Sequence, residues 1–264
     1  MSLKTKTILV LATALVGTAV MAQTAAPAAA PAAPAAAPEP ESTLSFNVGV
    51  VSDYRFRGIA QTSFKPALQF GVDYAHKSGF YVGAWTSNIN WIKDYVGATD
   101  GTQEVDLYGG YKGEIAKDLT FDLGVITYQY PGNTADKVLV NANTTEVYGA
   151  LTFNIVTVKY SQATSNFIAN PDSKGSYYLE VAAAIDLGNG FTLTPHVGRQ
   201  VITNQFNSAG DYTDYALTLG KDFGNGLSAS LAAMSTDAKD SFYKVPGFDN
   251  LGKNVLQVGV KYTF

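Results

Sequence analysis

The chain has 264 residues, no cysteine and a formal net charge of −4 at pH 7. These values exclude a disulfide framework and a cysteine-ligated metal, and the absence of a basic block in the sequence argues against nucleic acid as a partner. Charged residues make up only 15% of the chain, against about 25% in ordinary soluble proteins, while 12% are aromatic, which favours a β-rich protein.

The N-terminus is typical of a secretory signal. Lys4 and Lys6 precede an apolar run from Ile8 to Val20, and Ala22 is a small residue at a suitable cleavage point. We therefore predict a signal peptide over residues 1–22, with an uncleaved helix as the alternative. Residues 23–42 are dominated by Ala and Pro and predict a stiff, partly polyproline linker, either an inert spacer or a tether in the periplasm.

Residues 43–264 form a series of segments in which apolar and polar side chains alternate. The first segment places Leu44, Phe46, Val48 and Val50 in one row, and Tyr54 and Phe56 continue that row. A period of two predicts β-strands with one apolar face and one polar face, and about 12 such segments can be counted. Pro195 falls within the ninth segment and lacks a ladder donor, which indicates a local bulge or a misplaced strand.

Short and long connections alternate along these segments. Asn189-Gly190 and Asn225-Gly226 favour tight hairpin turns, because both residues tolerate positive φ. The long, polar connections are residues 58–66, 89–102, 131–144, 163–175, 201–212 and 235–252. This alternation predicts an antiparallel up-and-down barrel with short turns at one end and long loops at the other.

The apolar face is predicted to point outward, into lipid. The apolar rows carry no acidic residue, the opposite face is charged on most strands, and aromatic residues such as Tyr54, Phe56 and Phe153 mark strand ends as interfacial girdles do. The fold class predicted is therefore all-β, a transmembrane antiparallel barrel of about 12 strands in the bacterial outer membrane. Both termini would be periplasmic, with outer-membrane lipids and lipopolysaccharide as neighbours; a soluble sandwich is the alternative.

The chain ends on the aromatic residues Tyr262 and Phe264. Such an end resembles the C-terminal recognition signal of outer-membrane barrels, which implies the barrel assembly machinery as a partner.

A family resemblance covers residues 44–264 and is weak after about residue 160. The stretch S-D-Y-R-F-R-G-I-A-Q-T at 52–62 resembles the signature that opens the TorF family of bacterial porin-like proteins, and the similarity continues at 66–74, 78–88, 104–114 and 130–132. Ala60 stands where that family is expected to have Ser. The resemblance implies an outer-membrane barrel and leaves the transported solute undefined.

The inward face carries the candidate functional residues, nine acids against five bases in this register. This excess predicts a pore for small solutes or ions with mild cation preference and no cofactor; internal ion pairs that only fill the barrel are the alternative. Arg55 and Arg57 are expected near the outer rim, paired with Glu104 or Asp106 rather than bound to an anionic solute or lipopolysaccharide phosphate. The pore-lining candidates are Asp53, Arg55, Arg57, Asp73, Glu104, Asp106, Asp122, Glu146, Lys159, Glu180, Asp214 and Lys261.

Two other classes of function compete with a pore. An outer-membrane lipid-modifying enzyme needs a base beside a nucleophile, but the only histidines, His76 and His196, stand in no recognisable Ser–His pattern, so no enzyme is predicted. A structural anchor or adhesin-like barrel without an open pore would use the long loops.

Overall fold

The computed structural model describes residues 41–264, so the predicted signal peptide and all of the predicted linker before Glu41 lie outside the described residues. Two short helices, α1 (Trp91–Asp94) and α2 (Asp240–Tyr243), and two single 3₁₀ turns (Ala135–Lys137 and Phe206–Ser208) lie in the connections. The strands are β1 (Ser42–Val51), β2 (Arg55–Phe56), β3 (Ile59–Ala60), β4 (Ala67–His76), β5 (Phe80–Asn88), β6 (Gln103–Ala116), β7 (Leu119–Gln129), β8 (Thr144–Phe153), β9 (Val156–Ala163), β10 (Tyr177–Ala183), β11 (Ile185–Gly188), β12 (Phe191–Val201), β13 (Tyr212–Gly224), β14 (Leu227–Thr236) and β15 (Val255–Thr263).

Thirteen of these strands form one antiparallel sheet that closes on itself, while β2 and β3 pair only with each other. Neighbours in sequence are neighbours in the sheet, β1 pairs with both β4 and β15, and β10 pairs with both β9 and β12. Because β10 and β11 are two halves of one strand against β12, the wall has twelve spanning strands. The predicted twelve-stranded up-and-down barrel is confirmed.

Pro195 explains the division between β10 and β11. It lies within β12 and pairs with Leu217 on one side, whereas on the other side residues 183 and 184 are not paired with β12, between Ala182↔His196 and Ile185↔Leu193. Proline has no N–H to donate across that gap. The register is the same on both sides of the lapse, so the predicted bulge at this position and the predicted strand misplacement are both wrong.

Short and long connections emerge at opposite ends of the barrel, as predicted. The short-turn end has five connections of two or three residues, at 77–79, 117–118, 154–155, 189–190 and 225–226. Asn189 and Gly190 have φ of 53° and 76°, which a two-residue hairpin turn of this kind requires. The long-loop end has connections 52–66, 89–102, 130–143, 164–176, 202–211 and 237–254.

The outer surface of the wall is apolar and the inner surface is polar. Leu123 and Val258, for example, are 56% and 53% exposed, whereas their strand neighbours Asp122 and Gln257 point into the barrel. Within residues 41–264, no helix has the length and apolar character needed to cross a membrane.

One sequence prediction about this surface is wrong. The alternation predicts Tyr54 and Phe56 in an outward girdle, but they are only 3% and 6% exposed and lie inside the barrel. The reason is that β1 ends at Val51, where its pairing with β4 and β15 stops, and the chain then turns inward.

Candidate functional site

The first long connection, residues 52–66, folds into the barrel instead of extending away from it. Its centre is the hairpin of β2 and β3, residues 55–60, which we call the inner hairpin; all six residues are buried. Arg57 and Gly58 form the two-residue turn, with φ of 49° and 78°. A Cβ on Gly58 would lie 2.7 Å from Thr236 Cγ2 and 2.8 Å from Asp214 Cβ, so the tip of the hairpin touches the barrel wall.

The side chain of Arg57 binds this tip to strands β8 and β12 of the wall. Its Nη1 and Nη2 donate to the two carboxylate oxygens of Glu146 at 3.0 and 2.6 Å, and Nη1 also donates to Gln200 Oε1 at 2.8 Å. The guanidinium lies 4.4 Å from the centre of the Tyr178 ring. Burial disfavours the charge of Arg57, but the Glu146 carboxylate outweighs it, so the pKa of Arg57 lies above its usual value.

Arg55 stabilises the base of the inner hairpin. Its Nε donates to Asp53 Oδ2 at 2.6 Å, and its Nη1 donates to the carbonyls of Gly58 and Leu251, each at 2.9 Å. Burial raises the pKa of Asp53, although Arg55 acts in the opposite direction. The predicted pairing of Arg55 and Arg57 with Glu104 or Asp106 at the outer rim is therefore wrong, because the two arginines enter the lumen on a hairpin and meet other acids.

Aromatic side chains pack around the inner hairpin at the long-loop end. The Phe56 ring stands edge-on to Tyr128 at 5.3 Å, and the Tyr54 ring stands edge-on to Trp85 at the same distance. Phe56, Tyr54 and Tyr128 belong to one buried apolar cluster that also includes residues of the loops 89–102 and 164–176. The long-loop half of the lumen is thus packed like a protein core.

A second polar cluster lies on the wall beside the hairpin tip. His196 Nε2 is 3.1 Å from Glu180 Oε2, and its Nδ1 is 3.5 Å from Asp214 Oδ1. Tyr178 donates its hydroxyl to Asp214 Oδ2 at 2.8 Å. Lys159 is buried nearby, with its ammonium 4.3 Å from the centre of the Tyr148 ring.

The short-turn half of the lumen is less enclosed. Asp73, Lys112, Asp122 and Lys261 point inward and are half-buried; we call these four residues the inner ring. Tyr108 donates to Asp73 Oδ1 and Tyr81 donates to Asp122 Oδ1, both at 2.5 Å. The remaining two candidates, Glu104 and Asp106, are buried side by side on β6.

All twelve predicted lining residues thus lie inside the wall, but they do not form one continuous lining. Three of them, Asp53, Arg55 and Arg57, arrive on the connection 52–66, and Tyr262 and Phe264 lie on the outside with 41% and 70% exposure. Sequence reasoning missed the inner hairpin and the contacts of Arg57 with Glu146 and Gln200. The available signal was Gly58 directly after Arg57, which favours a tight turn at the point where the predicted first strand ends.

A family model and several solved structures relate this barrel to known proteins. The family model described as "Bacterial protein of unknown function (Gcw_chp)" matches residues 35–264. Among curated proteins, no sequence matches the chain.

Solved structures of porins share the fold. The KdgM porin in complex with disordered oligogalacturonate is similar with a TM-score of 0.53 and 8% identity, over 84% of this chain and 99% of that one. The NanC porin is similar with a TM-score of 0.55 and 13% identity, over 83% of this chain and 99% of that one.

Proposed function

The chain belongs to the Gcw_chp family of bacterial proteins, and we propose that it is an outer-membrane channel for passive passage of small solutes or ions. The observation that carries this proposal is the closed twelve-stranded wall with an apolar outside and a charged inside. A closed barrel satisfies its backbone hydrogen bonds in lipid, and an interior lined with charges suits water and solutes. The likeness in fold to the KdgM and NanC porins supports the same function.

The channel would favour cations mildly. Among the twelve candidate residues, eight are acids and four are bases, and acids along a low-dielectric wall raise the local concentration of cations. Internal pairs such as Arg57–Glu146 cancel part of this field, so the preference is small. The KdgM porin holds an acidic oligosaccharide, and the excess of carboxylates here argues against a solute of that charge.

The short-turn end would face the periplasm, and so would both termini. This orientation fits a signal peptide over residues 1–22 and a periplasmic linker over residues 23–42. The apolar outer surface would contact outer-membrane lipids and, on the outer leaflet, lipopolysaccharide. Tyr262 and Phe264 lie on the outward face at the end of the closing strand, with their ring centres 4.9 Å apart. In this position the barrel assembly machinery could bind them.

The resemblance of residues 52–62 to the TorF family points to the same class of protein, a porin rather than an enzyme. Within the described residues, the two histidines support this interpretation. His76 Nδ1 lies 2.7 Å from Ser78 Oγ in an exposed turn, whereas His196 is enclosed by Glu180 and Asp214. The His76–Ser78 contact belongs to a local turn, in which the backbone N–H of Ser78 also donates to His76 Nδ1 at 3.2 Å, and His196 is buried between two acids.

A barrel without an open pore, acting as an anchor or adhesin, is the second candidate. The observation in its favour is the inner hairpin, which places two buried ion pairs and a packed aromatic cluster in the long-loop half of the lumen. In the channel proposal, the same hairpin is a plug that narrows the path and must shift for large solutes to pass.

Single-channel recording on the refolded protein separates the two candidates. The channel proposal expects stepwise currents that grow with salt concentration and a reversal potential that shows mild cation preference, which salt reduces because the Debye length is about 10 Å at 0.1 M. Replacing the inner-ring acids, Asp73→Asn with Asp122→Asn, should lower that preference, whereas Lys112→Gln with Lys261→Gln should raise it. Currents with unchanged selectivity in both variants would remove the inner ring from the path.

A further inference from the structure

Most charged side chains deep inside the barrel have a partner of opposite charge. Asp53 pairs with Arg55, Glu146 pairs with Arg57, and His196 lies between Glu180 and Asp214. Two acids, Glu104 and Asp106, are as deeply buried as these but have no basic partner among the described residues.

Glu104 and Asp106 are neighbours on the inward face of β6, and they are 1% and 0% exposed. Glu104 Oε1 accepts a hydrogen bond from the Tyr54 hydroxyl at 2.8 Å, and the Tyr130 side chain lies near this carboxylate. Glu104 Oε2 and both carboxylate oxygens of Asp106 accept no hydrogen bond from any described residue. Three carboxylate oxygens are therefore held away from bulk water without a donor.

The surrounding charges add to the energetic cost of burying these two carboxylates. The charged groups that act on Asp106 are Glu104 and Glu146, and both are acids. The buried bases are held elsewhere: Arg57 by Glu146, Arg55 by Asp53, and Lys159 by its attraction to Glu180. Burying one unpaired carboxylate costs several kcal/mol, and two side by side repel each other as well. The pair needs a source of positive charge.

We propose that Glu104 and Asp106 together bind a hard divalent cation of the Ca²⁺ type inside the barrel. Two carboxylates carry the charge that neutralises one such ion, and an oxygen-only donor set with bidentate carboxylates is what Ca²⁺ prefers. No group of three acids, histidines or cysteines within residues 41–264 is placed to hold a metal, so this site would need neutral oxygens or water to complete the coordination shell. This inference does not depend on the barrel being an open channel.

The two tryptophans of the chain lie close enough to this site to report on it by fluorescence. Each packs edge-on against a tyrosine that lies beside Glu104. The Trp85 ring lies 5.3 Å from that of Tyr54, and the Trp91 ring lies 5.5 Å from that of Tyr130. A cation that binds to the Glu104 carboxylate is expected to change tryptophan fluorescence, because it alters the surroundings of both rings.

The test is to refold the full chain from denaturant into detergent micelles, either with CaCl₂ or with EGTA, at one pH and at an ionic strength fixed with choline chloride. We expect a saturable change in tryptophan fluorescence and a melting temperature that rises with the logarithm of the Ca²⁺ concentration, because a ligand of the folded state stabilises it by mass action. The Glu104→Gln, Asp106→Asn double variant should lose both responses. Asp136→Asn, which removes an exposed acid at the same end of the barrel, should keep them.

A parent protein that does not respond to Ca²⁺ would overturn the proposal, and so would an equal response in the double variant. A fluorescence change that follows pH alone, with no dependence on Ca²⁺, would show that the pair shares a proton instead and would also overturn it. Folding of each variant is checked by its heat-dependent mobility in gel electrophoresis. If the double variant does not fold, Asp106→Asn alone takes its place, with the same expected loss.

Discussion

Arg57 and Glu146 lie 89 residues apart in the sequence and form a two-pronged ion pair inside the barrel, with Nη1–Oε1 and Nη2–Oε2 distances of 3.0 and 2.6 Å. The pair joins the tip of the inner hairpin to the start of β8, at the long-loop end of the barrel. Because both side chains are excluded from water, removing one of them destabilises the fold more than breaking a surface ion pair does. This contact holds the inner hairpin inside the lumen.

Removing one member of this pair should destabilise the barrel. We expect Arg57→Gln or Glu146→Gln to lower the free energy of unfolding by about 3–5 kcal/mol, because each leaves a buried charge without its partner. The double variant should cost less than the sum of the two single variants. Urea titration followed by tryptophan fluorescence measures this. As a control, Lys77→Gln, which breaks the exposed pair with Glu41, should leave the titration unchanged.

Position 58 requires glycine for two reasons: its φ is positive, and a side chain there would collide with the barrel wall. Gly58→Ala should loosen the inner hairpin, because a Cβ there would meet Thr236 and Asp214 at 2.7 and 2.8 Å. Gly97 is a matched control: its φ of 80° is close to the 78° of Gly58, but a Cβ on Gly97 would meet no heavy atom within 4 Å. Proteolysis of the folded protein after Arg57 should increase in Gly58→Ala and not in Gly97→Ala. Equal cleavage in both would mean that the turn conformation alone matters.

The proposed orientation can be tested with single cysteines, since the chain has none of its own. Ser241→Cys and Lys137→Cys lie in long loops and should react with a membrane-impermeant thiol reagent on intact cells. Ser78→Cys and Lys117→Cys lie in short turns and should react only after the outer membrane is breached. All four positions are exposed and none has positive φ, so a cysteine is tolerated at each. The opposite labelling pattern would invert the barrel.

The terminal aromatic residue should matter for assembly more than for stability. Phe264 is 70% exposed and its backbone N–H donates to the Phe46 carbonyl. Deleting Phe264 should reduce the amount of folded barrel in the outer membrane and cause unfolded protein to accumulate in the periplasm, with export unaffected. Membrane fractionation measures both pools. Normal amounts of folded barrel without Phe264 would rule out the assembly-signal hypothesis.

The barrel wall was predictable because its signal is local and repeated. Rows such as Leu44, Phe46, Val48 and Val50 alternate with polar residues, and Asn-Gly pairs mark the tight turns. The same rule failed at Tyr54 and Phe56, which continue the alternation but leave the sheet. Periodicity shows that two faces differ; it does not show where a ladder of hydrogen bonds stops.

The interior contacts were not predictable from spacing. Arg57 meets Glu146 and Gln200 only because the closed wall brings β8 and β12 around the inner hairpin. The sequence-based prediction was Glu104 or Asp106, yet those two acids lie beside tyrosines. A pairing inside a barrel depends on the path of the loop that enters it, and pattern analysis does not provide that path.

The measurement that tests the central proposal most directly is the planar-bilayer conductance of the parent protein beside a variant in which residues 54–62 are replaced by a short Gly–Ser linker. A channel narrowed by the inner hairpin predicts small, salt-dependent current steps in the parent and clearly larger steps in the variant. Labelling and heat-dependent mobility establish that both are folded in the membrane. Two folded, inserted barrels that carry no current, with or without the hairpin, would contradict the channel proposal and leave the anchor as the function that fits this structure.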